Sequence, residues 1–73
     1  MIVNKFSLLL AERLLKVSDV SRDTGISRTT LTALYYRKNA GIQFDTLDRL
    51  CKYFNCNIEE IIFYQEEENE SIN

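Results

Sequence analysis

The chain has 73 residues, 45% of them apolar, which makes one small domain near the lower limit at which a single core holds a fold without staples. Nine Lys and Arg stand against eleven Asp and Glu, with two cysteines, two glycines and neither proline nor histidine. No apolar run approaches the roughly 18 residues of a membrane span, and Lys5, Glu12 and Arg13 interrupt any signal-peptide core around Leu8-Leu9-Leu10. Cys51 and Cys56 without a histidine match no common zinc pattern, so no metal or other cofactor is expected. The reading is a cytoplasmic protein with reduced thiols. Without histidine, paired carboxylates in an apolar setting or a glycine-rich phosphate loop, an enzyme is not expected.

The net charge of −2 hides an asymmetry. Residues 1–53 carry all nine bases against five acids, a body of +4, whereas residues 54–73 carry six glutamates and no base, an end of −6. A basic body suits a phosphate backbone while the acidic end points elsewhere.

In chain order, Met1 to Val3 read as a loose arm or a segment packed on the first helix. From about Asn4 to Leu15, the positions Phe6, Leu9, Leu10 and Leu14 predict an amphipathic helix. Leu8 and Leu15 fall off that stripe. A second helix starts near Val17 or Ser18 and stops at Gly25, which can take φ > 0, with Thr24 beside the turn. Ser27 offers a hydroxyl to cap a third helix. Val20, Ile26, Leu31 and Leu34 would face inward. Two helices joined this way form a helix-turn-helix. The outward residues of its second helix are Arg28, Thr29, Thr30, Thr32 and Ala33, short or hydrogen-bonding and without an acid, as a DNA-reading surface requires.

After a loop at Asn39-Ala40-Gly41, which Ile42 and Phe44 would pin to the core, Asp45 reads as the N-cap of a fourth helix. Leu47, Leu50, Cys51 and Phe54 form its buried stripe, so Cys51 reads as an inert buried thiol. Asn55 would end that helix in the left-handed conformation. Asn57-Ile58-Glu59-Glu60 predicts a capping box for a fifth helix carrying Ile58, Ile61 and Ile62, extended by Phe63 and Tyr64. The fold class is therefore all-α with five helices, residues 1–64 forming the domain and residues 65–73 an acidic, disordered tail.

This order of helices resembles the Cro/C1-type (XRE-like) family of regulators and its lambda-repressor-like DNA-binding domain. The carrying residues are Asp19-Val20-Ser21-Arg22-Asp23-Thr24-Gly25-Ile26-Ser27-Arg28-Thr29-Thr30-Leu31 and Phe44-Asp45-Thr46-Leu47-Asp48-Arg49-Leu50-Cys51. Two positions depart from the family pattern: Ser21 stands where alanine is common, and Val17 where glutamine reaches a phosphate. The resemblance implies a double-stranded DNA-binding transcriptional regulator, a small repressor whose third helix enters the major groove by its N-terminal half. In that geometry Arg28 can pair with guanine, and Thr29, Thr30, Thr32 and Ala33 also meet bases. Arg22, Ser27, Tyr36, Arg37, Lys38 and Asn39 would contact phosphates. The resemblance also implies a homodimer, for which Ile61, Ile62, Phe63 and Tyr64 of the last helix are the expected interface. Two alternatives stay open: the antitoxin of a toxin–antitoxin pair, and a protein-interaction module. The antitoxin would hold its toxin through residues 58–73, and the acidic C-terminal tail is the expected place for a protein partner.

Overall fold

The computed structural model describes residues 1–36 and 41–66. In chain order these form strand β1 (Ile2–Asn4), helices α1 (Phe6–Arg13), α2 (Val17–Thr24), α3 (Arg28–Tyr35) and α4 (Phe44–Phe54), a 3-10 turn (Ile58–Glu60) and strand β2 (Ile62–Tyr64). The two ends of the described chain meet. β2 lies antiparallel to β1, with Ile2 opposite Tyr64, Val3 opposite Phe63 and Asn4 opposite Ile62. The pairing runs past both strands: Lys5 N–H donates to the Ile61 carbonyl at 2.6 Å, and Gln65 N–H donates to the Met1 carbonyl at 2.8 Å.

Two expectations are corrected here. There is no fifth α-helix among the described residues, and the domain is mostly helical rather than all-α. Asn57 makes no side-chain cap bond, and the chain beyond it completes only a 3-10 turn before extending. The run Ile61-Ile62-Phe63-Tyr64 is β-branched and aromatic, so it suits a strand once a partner strand is present. Met1 to Val3, read as a loose arm or a segment packed on the first helix, supply that partner.

Helices α1 and α4 end by the same device. Leu14 turns left-handed at φ 56°, its N–H donates to the Ala11 carbonyl at 3.3 Å, and Leu15 N–H reaches back to the Leu10 carbonyl at 2.9 Å. This is the paired 5→2 and 6→1 closure of a Schellman ending. The helical period stops before Leu14, which is 90% exposed instead of continuing the buried stripe, and Leu15 packs on the core in its place. In α4, Asn55 takes φ 55°, its N–H meets the Lys52 carbonyl at 3.2 Å, and Cys56 N–H meets the Cys51 carbonyl at 3.0 Å. Asparagine is the side chain other than glycine that tolerates that hand most readily.

The start of α4 is also corrected. The extended Gln43 precedes it and the helix opens at Phe44, so Asp45 lies in the first turn and pairs with Arg49 at 3.2 Å. Phe44 is 86% exposed and pins nothing, whereas Ile42 does pack on the core.

The core consists of Phe6, Leu9, Leu10, Val20, Ile26, Leu31, Leu34, Leu47, Leu50, Phe54 and Ile61. Burying each side chain contributes on the order of 1.5–3 kcal/mol, and no polar side chain among the described residues is buried with them. Arg13 ties α1 to the end of α4: Nη1 donates to the Phe54 carbonyl at 2.8 Å, with the guanidinium 5.0 Å above the Phe54 ring. No helix among the described residues is long and apolar enough to cross a membrane.

Candidate nucleic-acid interface

The site is built on the turn between α2 and α3. α2 opens at Val17, where Lys16 N–H donates to Asp19 Oδ2 at 2.9 Å and closes the first turn. It stops at Gly25, whose φ of 79° lies in the left-handed region and whose N–H donates to the Ser21 carbonyl at 2.9 Å. A Cβ at residue 25 would meet only the Arg49 guanidinium, at an ordinary 3.7 Å. The requirement for glycine therefore comes from the hand of the backbone and not from crowding.

Side chains on both sides hold this turn. The Ser21 hydroxyl donates across it to the Ile26 carbonyl at 2.6 Å. Thr24 Oγ1 donates to the Val20 carbonyl at 2.7 Å and accepts from Ile26 N–H at 3.2 Å. From α4, Arg49 Nη1 donates to the Thr24 carbonyl at 3.4 Å.

Ser27 caps α3 as its sequence position predicts. Its hydroxyl oxygen accepts from Thr30 N–H at 3.1 Å and donates its own proton to Thr30 Oγ1 at 2.9 Å. The Thr30 hydroxyl keeps a proton to give elsewhere. Leu31 and Leu34 anchor the helix in the core, while Asn4 of β1 donates through Nδ2 to the Leu34 carbonyl at 3.2 Å. Asn4 Oδ1 also accepts from Phe6 N–H at 3.0 Å, so one side chain steadies the start of α1 and the end of α3. The opposite face of α3 then stands clear: Arg28, Thr29, Thr30 and Thr32 are exposed and Ala33 is half-buried. Arg28 has neither ion pair nor hydrogen bond among the described residues. A groove runs beside this face, lined by Thr29, Thr30 and Ala33 on one side and Ile42, Gln43 and Thr46 on the other.

The expected phosphate contacts divide. Ser27 and Tyr36 flank the exposed face, with Tyr36 edge-on to Tyr35 at 5.1 Å; Tyr35, placed at the core edge by its sequence position, is exposed as well. Arg22 is exposed but occupied: Nε donates to Asp23 Oδ1 at 3.0 Å and Nη1 to Asp19 Oδ1 at 3.4 Å. Asp23 also accepts from the Tyr53 hydroxyl at 2.8 Å. The Arg22 hydrogen bond, then the Tyr53 one, hold the Asp23 carboxyl below its ordinary range; the same contact raises Arg22 further. Arg37, Lys38 and Asn39 lie outside the described residues.

The expected dimer residues also separate. Ile61 is fully buried in the protomer's own core and offers no surface. Ile62 is half-buried against that core, Phe63 lies under the Lys5 ammonium at 5.2 Å, and Tyr64 is exposed opposite Ile2.

Residues 5–67 match the family model of the Cro/C1-type helix-turn-helix DNA-binding domain. The chain belongs to that family. The Cro/C1-type family is one of DNA-binding regulator domains and not of enzymes, so DNA is the partner of this domain. The chain is 29% identical over 68 residues to YozG, an uncharacterized HTH-type transcriptional regulator of Bacillus subtilis (strain 168), covering 93% of this chain and 81% of that one. In fold it is similar to the crystal structure of a protein of Bacteroides fragilis described as DNA-binding. The TM-score is 0.71 at 19% identity, over 86% of this chain and all of the other.

Both departures from the Cro/C1-type pattern have structural consequences. Ser21 fits the tight helix contact and spends its hydroxyl on the Ile26 carbonyl, adding a bond across the turn that alanine cannot make. Val17 packs against the core and has no group to offer a phosphate. Sequence reasoning missed Gln43 and Thr46 on the groove and Asn4 behind α3. The first two follow a turn with no periodic signal, and Asn4 acts across 30 residues of chain.

Proposed function

We propose that the chain is a sequence-specific, double-stranded DNA-binding transcriptional regulator that represses by occupying an operator. The observation that carries this reading is the N-terminal half of α3: Arg28, Thr29, Thr30 and Thr32 exposed, Arg28 unengaged among the described residues, and no acid on that face. In the major groove, the Arg28 fork reads guanine O6 and N7, and the threonines and Ala33 offer methyls to thymine or hydroxyls to either partner. Ser27 and the first amides of α3 take a backbone phosphate, Tyr36, Arg37, Lys38 and Asn39 take its neighbours, and Arg22 exchanges Asp23 for a phosphate.

The proposed unit is a homodimer that reads two half-sites about one helical turn apart. Its contact is the outer part of the terminal ribbon, where Ile2 and Tyr64 face each other at 65% and 68% exposure with Ile62 and Phe63 beside them. This replaces the helix-based interface expected from sequence. Substituting Tyr64→Asp should leave the fold intact and yield a sedimenting monomer; an unchanged dimer mass would remove the ribbon from the interface.

The deciding experiment is selection from a random double-stranded DNA pool at two salt concentrations. A two-fold symmetric site with binding that falls steeply as salt rises is expected. No enrichment, with only weak binding at low salt, would overturn the reading and point to a protein partner.

A further inference from the structure

The Schellman ending brings together the side chains of the two residues joined by its longer bond, five positions apart, and an apolar contact between them commonly accompanies it. At the end of α1 those residues are Leu10 and Leu15, both packed in the core. At the end of α4 they are Cys51 and Cys56. We propose that Cys51 and Cys56 form an intramolecular thiol–disulfide site, presented by the left-handed turn at Asn55.

The backbone sets the distance. The 3.0 Å bond from Cys56 N–H to the Cys51 carbonyl holds the two Cα atoms roughly 5–6.5 Å apart. That lies inside the window of about 4.4–6.8 Å that a disulfide spans without moving backbone. Both cysteines are free and half-buried, and both line one open depression with Lys52, Asn55, Asn57 and Glu60. An oxidant from solvent can therefore reach them. Among the described residues no His, Cys, Asp or Glu joins them in a group that could hold a metal ion, which favours covalent chemistry between the two sulfurs.

With hydrogen peroxide as oxidant, one thiolate attacks a peroxide oxygen, the O–O bond breaks, and a sulfenic acid and one water form. The second sulfur attacks the first, the S–O bond breaks, and a second water leaves. Two electrons pass from the sulfur pair to the peroxide, and the two thiol protons leave in the waters.

Among the described residues no charge outweighs burial at either thiol. Burial pushes both thiols up; Asp48 and Glu59 push Cys51 further, and Cys51 and Glu60 push Cys56 further against the opposing Arg13. Proximity drives this site, so its equilibrium is the informative quantity and not its rate.

The test equilibrates the full chain with mixtures of reduced and oxidised glutathione, in native buffer and in concentrated urea. Remaining thiols are trapped with a maleimide and counted by intact mass. The equilibrium constant for the intramolecular disulfide is expected to be at least about tenfold higher in native buffer than in urea. The species should be 2 Da lighter than the dithiol, reversible with reductant and absent in Cys51→Ser and in Cys56→Ser. An equal or lower constant in native buffer, or only glutathione adducts and intermolecular disulfides, would overturn the proposal.

Discussion

The helix-turn-helix and the terminal ribbon are held by opposite kinds of contact. Between Lys16 and Thr30 most bonds that shape the chain join residues a few positions apart: Asp19 to Lys16, Gly25 to Ser21, Ser21 to Ile26, Thr30 to Ser27. The bonds that pair the ribbon's strands instead join opposite ends of the described chain. Lys5 reaches Ile61 and Met1 reaches Gln65, so its two strands acquire their conformation only after the rest of the domain has brought them together. A local unit can present a DNA-reading face on its own turn chemistry, whereas the ribbon depends on the assembled core, and perturbations of the two should differ in kind.

The largest expected effect lies on the ribbon side. Ile61 is fully buried at the entry to β2, and Ile61→Ala should cost about 2–5 kcal/mol in urea unfolding, with DNA affinity per folded molecule unchanged. A cost below about 1 kcal/mol would mean that the ribbon lies outside the cooperative unit, and the contrast would fail. Next comes Arg28→Ala, on the local side. It should leave the unfolding midpoint unchanged and lose about 1–3 kcal/mol of discrimination at one base pair per half-site. Equal weakening on every sequence would make Arg28 a phosphate contact instead.

The same contrast governs what could be read from sequence. Gly25, Ser27 and Asn55 act through their own backbone or a neighbour's, and each occupies the turn or cap its residue type suggests. The inward set Val20, Ile26, Leu31 and Leu34 follows from helical period and is buried. Reading failed where a distant partner decides. Ile62-Phe63-Tyr64 satisfies helical and extended patterns alike, and the tie is broken by β1, some sixty residues upstream. Leu14 fits the stripe of α1 by spacing, yet the helix has already ended. Phe44 is apolar next to a buried helix, but the first turn carries it outward. Of the candidate DNA face, the α3 side was legible because it belongs to one helix; the Gln43 and Thr46 side was not, because only folding sets it across a groove.

Smaller effects sharpen the local side. Ser27→Ala removes the acceptor for Thr30 N–H and should cost about 1 kcal/mol of stability. Its loss should also weaken binding on all DNA sequences alike, since it frees the first turn, which is proposed to meet a phosphate.

The smallest effect tests a side-chain link from α4 that buttresses the recognition unit, the Tyr53 hydroxyl on Asp23 of α2. Asp23 has a depressed pKa in the fold, caused first by Arg22 and then by Tyr53. Its contribution is therefore present above the ordinary carboxylate range and lost as pH falls through the folded value. Tyr53 is raised, chiefly by donating to that carboxylate, so its contribution is present below its ordinary pKa and lost as pH climbs through the folded value. Tyr53→Phe keeps the ring and removes the bond. The variant should melt slightly lower than wild type between roughly pH 5 and 9, and the two should converge in acid and in strong alkali. The acid limb should survive in the variant, shifted slightly to higher pH, because Arg22 still holds Asp23. A melting difference that persists at acid pH would assign the effect to ring packing, and α2 would then be braced on α4 by Arg49 instead.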